Sequence, residues 1–166
     1  MKKLNFIIKC GLALLLLSFY SCESWLNVTP SDRLSEEMLF NDREGFVKAL
    51  NGVYIELNTN ELYGRNLTAG ALDVMGQYYS VASSSHAFYN YGGLVYTGND
   101  EKALFDNMWQ KCYAVIACCN TIIEKCDENK AGLSPVWKGA IKGEALALRA
   151  MLHFDMLRLF GPLTSE

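Results

Sequence analysis

SPVWKGAIKGEALALRAMLHFDMLRLFGP, residues Ser134 to Pro162, is the stretch that decides the fold. It reads as one long helix with both ends marked. Ser134 is a good N-cap, and Pro135 stands at the first helical position, where a missing N–H costs nothing. Gly161 suits a left-handed residue just past the end, and Pro162 blocks continuation. Val136–Phe160 would span about 37 Å. Ile141, Ala145, Leu148, Leu152, Met156 and Leu159 step by four, three, four, four and three, which makes one continuous apolar stripe. Ala147, Ala150, Met151, Phe154 and Leu157 widen it beyond a third of the circumference. A helix this apolar is expected to be covered on two sides, so partner helices should lie elsewhere in the chain.

Two such partners can be read. Asn41 or Asp42 caps a helix over roughly Arg43–Leu57, whose apolar set is Phe46, Val47, Leu50, Val53, Tyr54 and Leu57. Before it, Ser35 caps a short turn that ends near Phe40. Asn99 or Asp100 caps a second long helix that ends near Cys126, with a stripe of Leu104, Met108, Cys112, Ile116, Cys119, Ile123 and Cys126. About eight residues, with Gly132 among them, return the chain to Ser134. So short a connection favours an antiparallel helical hairpin.

The cysteines invite a metal or disulfide reading, which their spacing opposes. Cys112, Cys119 and Cys126 are seven apart, about 10 Å of helical rise each, whereas a disulfide needs Cα atoms within about 7 Å. Cys118 and Cys119 are adjacent, so a bond between them would be strained. There is no C-x-x-C and no histidine near in sequence, so these are expected to be small buried hydrophobes, and no metal or cofactor is expected.

The segment from Asn58 to Asp100 differs from the rest. A short helix is possible within Leu67–Tyr79. Beyond it, Ser80, Ser83–Ser85, Gly92, Gly93 and Gly98 break any periodicity. Five tyrosines, Tyr78, Tyr79, Tyr89, Tyr91 and Tyr96, fall in nineteen residues. Long ordered loops are usually functional. Tyrosine faces can stack on sugar rings, and Asp73, Gln77, Asn90 and Asn99 can hydrogen-bond hydroxyls. The competing reading is that the tyrosines pack the loop onto the helices.

Other chemistry is weakly signalled. Arg149, His153, Asp155 and Arg158 read better as a polar network along and between helices than as an acid–base site. Glu144 and Arg149 are expected to tie helices together. His86 lies in a Ser-rich loop without the strand–turn–helix elbow of a hydrolase. Net charge is −3, or −6 once Lys2, Lys3 and Lys9 leave with a leader, since 15 basic residues become 12 against 18 acidic. No basic run occurs, so nucleic acid is not an expected partner.

Residues 1–21 read as a signal peptide: three early lysines, then an apolar run of eleven from Cys10 to Tyr20, too short to span a bilayer. Leu17-Ser18-Phe19-Tyr20-Ser21-Cys22 resembles a bacterial lipobox, which implies lipidation of Cys22 and membrane attachment through N-terminal acyl chains. The alternative is an ordinary secreted protein with an incidental Cys22. Residues 22–34 read as a polar tether, and 35–166 as the helical domain.

Three motifs in order resemble one family. Cys22 is followed by Trp25-Leu26-Asn27 with Pro30. Next comes Trp109-x3-Tyr113-x2-Ile116-x3-Asn120-x-Ile122-Ile123. Last is Gly143-Glu144-Ala145-x3-Arg149-Ala150-x3-Phe154-x3-Arg158-x-Phe160-Gly161-Pro162. Together they resemble the N-terminal part of the SusD/RagB family of outer-membrane nutrient-binding lipoproteins. The resemblance implies an all-α body of tetratricopeptide-like helical hairpins carrying a long irregular tyrosine-rich loop. It implies a non-catalytic, lipid-anchored protein of the cell surface that binds oligosaccharides and passes them to a SusC-like TonB-dependent transporter. It places Asp73 in a segment that faces ligand. Because family members are several times longer, it also implies a truncated or partial chain with an incomplete helical domain. The rival reading is a helical-repeat scaffold lipoprotein that binds protein and no sugar. A hydrolase using His86 or His153 ranks below both.

Overall fold

The computed structural model describes residues 36–162, so Cys22, the leader and the tether lie outside the described residues. Those described form an all-α body of six helices: α1 Glu36–Leu39, α2 Arg43–Leu57, α3 Ala71–Met75, α4 Tyr89–Gly92, α5 Asn99–Glu128 and α6 Pro135–Phe160. No strand occurs among the described residues.

α6 starts as its sequence dictates. The Ser134 hydroxyl accepts from the Trp137 N–H, with Pro135 in the first turn. Its end differs from expectation. Gly161 is extended, at φ −66° and ψ 154°, and not left-handed. The ring of Pro162 disfavours helical and left-handed geometry in the residue before it, and polyproline-like backbone results.

α5 and α6 form the expected antiparallel hairpin. Lys142 binds Asp127 at 2.6 Å, Arg149 Nη1 donates to Asn120 at 2.8 Å, and the Trp109 and Phe160 rings lie 5.1 Å apart. As one number rises the other falls. The six-residue turn between them is clasped by Asn129, left-handed at φ 48°, whose side chain accepts from the Leu133 N–H at 2.7 Å and donates to the Leu133 carbonyl at 3.2 Å. α2 lies against both partners. Asp42 caps it by accepting from the Gly45 N–H at 2.8 Å, Arg43 stacks on Trp137 at 4.7 Å, and Tyr54 donates to Glu144. Glu56 pairs with Lys111 of α5.

The core fills the space between these three helices. Phe46, Leu50, Val53 and Leu57 come from α2, Met108, Cys112, Val115, Ile116, Cys119, Ile122 and Cys126 from α5, and Ile141, Ala145, Leu148, Leu152 and Met156 from α6. Cys112, Cys119 and Cys126 are fully buried, and burial pushes the first two thiols up to about 11. They are the small hydrophobes their spacing suggested, while Cys118 is exposed. Tyr54, read as apolar core, is exposed and serves through its hydroxyl.

The second apolar face of α6 is not covered by any described element. Met151, Phe154 and Leu157 are 39%, 59% and 63% exposed. Of the polar network expected along α6, only part forms: Arg158 pairs with Asp155 at 3.0 Å and Tyr63 donates to Asp155, whereas Arg149 turns to Asn120 and His153 meets the Tyr113 ring at 6.0 Å.

The linking segment is more ordered than its composition suggested, because it builds α4 and a second small core. Ala71, Val74 and Tyr91 are buried there, with Phe88, Tyr96, Leu104 and Phe105 packed around them. Both short helices end alike. The Tyr78 N–H reaches the Asp73 carbonyl at 3.0 Å and the Gln77 N–H that of Val74 at 3.1 Å. The Val95 N–H reaches Asn90 at 2.9 Å and the Leu94 N–H reaches Tyr91 at 3.1 Å. These are Schellman closures, yet the left-handed position holds Gln77 (φ 61°) in one and Leu94 (φ 54°) in the other. A side chain there costs about 1–2 kcal/mol.

Two contrasts test this description by denaturant melts. Leu152→Ala should cost about 2–5 kcal/mol as a buried truncation, whereas Leu157→Ala should stay within about 0.5 kcal/mol. Gly93 has φ −87° with only ordinary contacts around an added Cβ, so Gly93→Ala should stabilise by about 0.4–1 kcal/mol. Gly132 has φ +65° in open space, so Gly132→Ala should destabilise by about 1 kcal/mol from backbone strain alone.

Candidate functional site

Between the ends of α3 and α4 the chain leaves a groove of about 400 Å³, within the range of small-ligand sites. Its walls include Gln77, Tyr79, Ser80, Tyr89, Asn90 and Val95, and its floor the backbone of Gly92 and Gly93. None of the lining side chains carries a charge. The two strained closures sit at its edges, where strained backbone often accompanies ligand clamps. Gln77 offsets its left-handed backbone by reaching across: its Nε2 donates to the Gly92 carbonyl at 2.9 Å. That strap joins the two walls.

The tyrosines singled out in the sequence separate into two groups. Tyr79 and Tyr89 line the groove and are 53% and 43% exposed. Tyr78 is 80% exposed beside it, at the end of α3. Tyr91 is 2% exposed and cannot meet a ligand in this conformation. It is the pillar of the small core, in edge contact with Phe88 and Phe105 at 5.8 and 5.9 Å. Burial, backed by the Glu101 and Asp100 carboxylates, pushes its hydroxyl up to about 12. Tyr96 is half-buried and packs edge-on to Phe105 at 5.4 Å. Asp73 is half-buried on α3 and is not part of the groove wall.

α4 is held from below by an unforeseen residue. Glu101 is only 6% exposed, and its Oε1 accepts from Asn90 Nδ2 at 2.8 Å. At the sequence level it passes as one of several acids favouring a helix start. It also bears on the cap of α5, which is Gly98 and not Asn99 or Asp100. The Glu101 carboxylate lies where a Cβ on residue 98 would stand, so any side chain there would push the carboxylate out of its place.

Elsewhere, a more open cleft of about 290 Å³ is lined by Trp109, Tyr113, His153, Met156, Leu157 and Phe160. His86 is exposed, with its Nδ1 accepting from the Phe88 N–H at 3.1 Å, and no nucleophile–base pair forms around it among the described residues. Among the described residues, no group of three or more His, Cys, Asp or Glu is placed to hold a metal ion.

Comparison with known proteins gives this arrangement a family. The model of the SusD-like group described as starch-binding and associating with the outer membrane matches residues 24–166. SusD-like protein P2 of Formosa agariphila is 26% identical over 164 residues, covering 96% of this chain and 30% of that protein. SusD-like protein P25 of the same organism is 23% identical over 163 residues, covering 89% of this chain and 29% of its own length. The chain thus spans less than a third of these curated relatives. No solved structure matches it. With a family model covering all the described helices, and an all-α hairpin body beneath the groove, the chain belongs to the SusD-like (SusD/RagB) family.

Proposed function

We propose that this chain is the N-terminal part of a non-catalytic, lipid-anchored glycan-binding protein of the outer-membrane surface, which hands its ligand to a SusC-like TonB-dependent transporter. The observation that carries the reading is the uncharged groove between α3 and α4, in a chain whose family is described as starch-binding. Tyr79 and Tyr89 offer ring faces, and Gln77, Ser80 and Asn90 offer hydrogen-bonding groups. This is the surface that sugar rings and hydroxyls require. With no cation on its walls the groove suits a neutral glycan, and an acidic chain repels polyanions. Tyr78 and Asp73 extend the contact surface beside it, while Tyr91 and Tyr96 support it from within. Lipidation at Cys22 would hold the protein on the membrane; among the described residues, no helix is long and apolar enough to cross one.

One observation favours a second reading, the protein-binding scaffold: the apolar second face of α6, with Phe154 and Leu157 exposed. Calorimetry separates the two. Titration of the full chain with maltoheptaose, a neutral α-glucan, should release heat, and Tyr79→Ala or Tyr89→Ala should each weaken binding by about 5- to 30-fold, the loss of roughly 1–2 kcal/mol of stacking. No heat from the full chain, nor from a full-length parent, with any neutral glycan would turn the assignment to the scaffold.

A further inference from the structure

Asn90 stands on the groove wall with a side-chain amide that has two ends, an acceptor and a donor. Its partner settles which end is used for support. An ionised carboxylate can only accept, so the Asn90–Glu101 bond at 2.8 Å must be made by Nδ2. That leaves Oδ1 and the second N–H clear of Glu101. Glu101 itself is fixed: it is 6% exposed, lies on the first turn of α5, and folds over Gly98 into the space a Cβ would take. A charge-assisted bond to a buried, immobile acceptor holds an amide more firmly than a neutral one. Resting on the glycan-groove reading above, we propose that Glu101 is a positioning residue that locks the Asn90 amide so that its carbonyl oxygen is offered to a ligand hydroxyl. The site thereby selects sugars with a hydroxyl donor at that point of the groove.

Isosteric exchange tests the orientation without emptying the space. In Glu101→Gln the side-chain amide can accept from Asn90 Nδ2 as before or donate to Asn90 Oδ1, so the Asn90 amide loses its fixed orientation and its acceptor is used up in part of the molecules. The substitution should weaken maltoheptaose binding by about two- to tenfold, according to the share of molecules in which the amide has turned, with the melting temperature and near-ultraviolet circular dichroism unchanged. Adding Asn90→Asp lets the introduced glutamine donate to one carboxylate oxygen and frees the other to accept, so the double variant should recover most of the affinity. Wild-type affinity in Glu101→Gln would overturn the proposal. So would a loss that follows the melting temperature, or that the double variant does not restore. A ligand-free readout stands beside these. In the nitrogen–proton spectrum, one Asn90 side-chain amide proton should be shifted downfield and exchange slowly with solvent in the wild type, and both features should fade in Glu101→Gln. If that signal is present but the wild-type chain binds no glycan, the glycan reading fails and the locked amide stands. If the Asn90 amide is free in the wild type, the lock fails whatever the chain binds.

Discussion

The antiparallel contact between α5 and α6 is the constraint on which the rest depends. These two helices, of 30 and 26 residues, meet through a seam that mixes small and large side chains. Cys112, Cys119, Cys126 and Ala145 supply the small ones, all fully buried, between the larger Met108, Ile122, Leu152 and Met156. Interiors are packed to the density of organic crystals, so alternating small and large groups matters as much as hydrophobicity. α2 then closes the open side with Phe46 and Val53, each 1% exposed. The exposed polar ties at the rim, such as Lys142 with Asp127, fix register more than they add stability.

The groove is tied to that seam through α5. Leu104 and Phe105 belong to α5 yet pack against the small core beneath the loop as well as the main one. The aromatic chain from Tyr91 through Phe105 to Phe160 joins the loop to the far end of α6. A segment rich in serine, glycine and tyrosine thus stands on the N-terminal turns of a long helix, pinned at Asn90 by Glu101 and strapped by Gln77. Its two left-handed non-glycine residues are tolerated because the surrounding contacts over-determine the backbone.

Much of this was legible in the sequence. Period marked α2, α5 and α6, the caps Asp42 and Ser134 marked the starts of α2 and α6, and the spacing of the cysteines, with no C-x-x-C and no histidine near, argued for buried thiols. The motifs around Trp109, Tyr113, Gly143–Arg149 and Phe160–Pro162 led to the family. What escaped depends on backbone geometry and on neighbours in space that the pattern of residue types does not carry. Gly161 looked like a left-handed cap until the geometry imposed by Pro162 decided it. Tyr54 fell on the apolar stripe but turns its hydroxyl to Glu144. Tyr91 resembled its neighbours in composition, and only the fold makes it a pillar. Glu101 looked like an ordinary first-turn acid, since the residue types alone do not show that it folds over Gly98 to meet Asn90.

The claim at the centre of this account is that a glycan ligand binds in the groove between α3 and α4. Titrating the isotope-labelled full chain with maltoheptaose while following backbone and side-chain amides tests it directly. Shifts that saturate together and cluster at Gln77, Tyr79, Ser80, Tyr89, Asn90, Gly92 and Gly93 are the predicted result. Saturating shifts confined to the exposed face of α6 or to the Trp109–His153 cleft, with the groove silent, would contradict it.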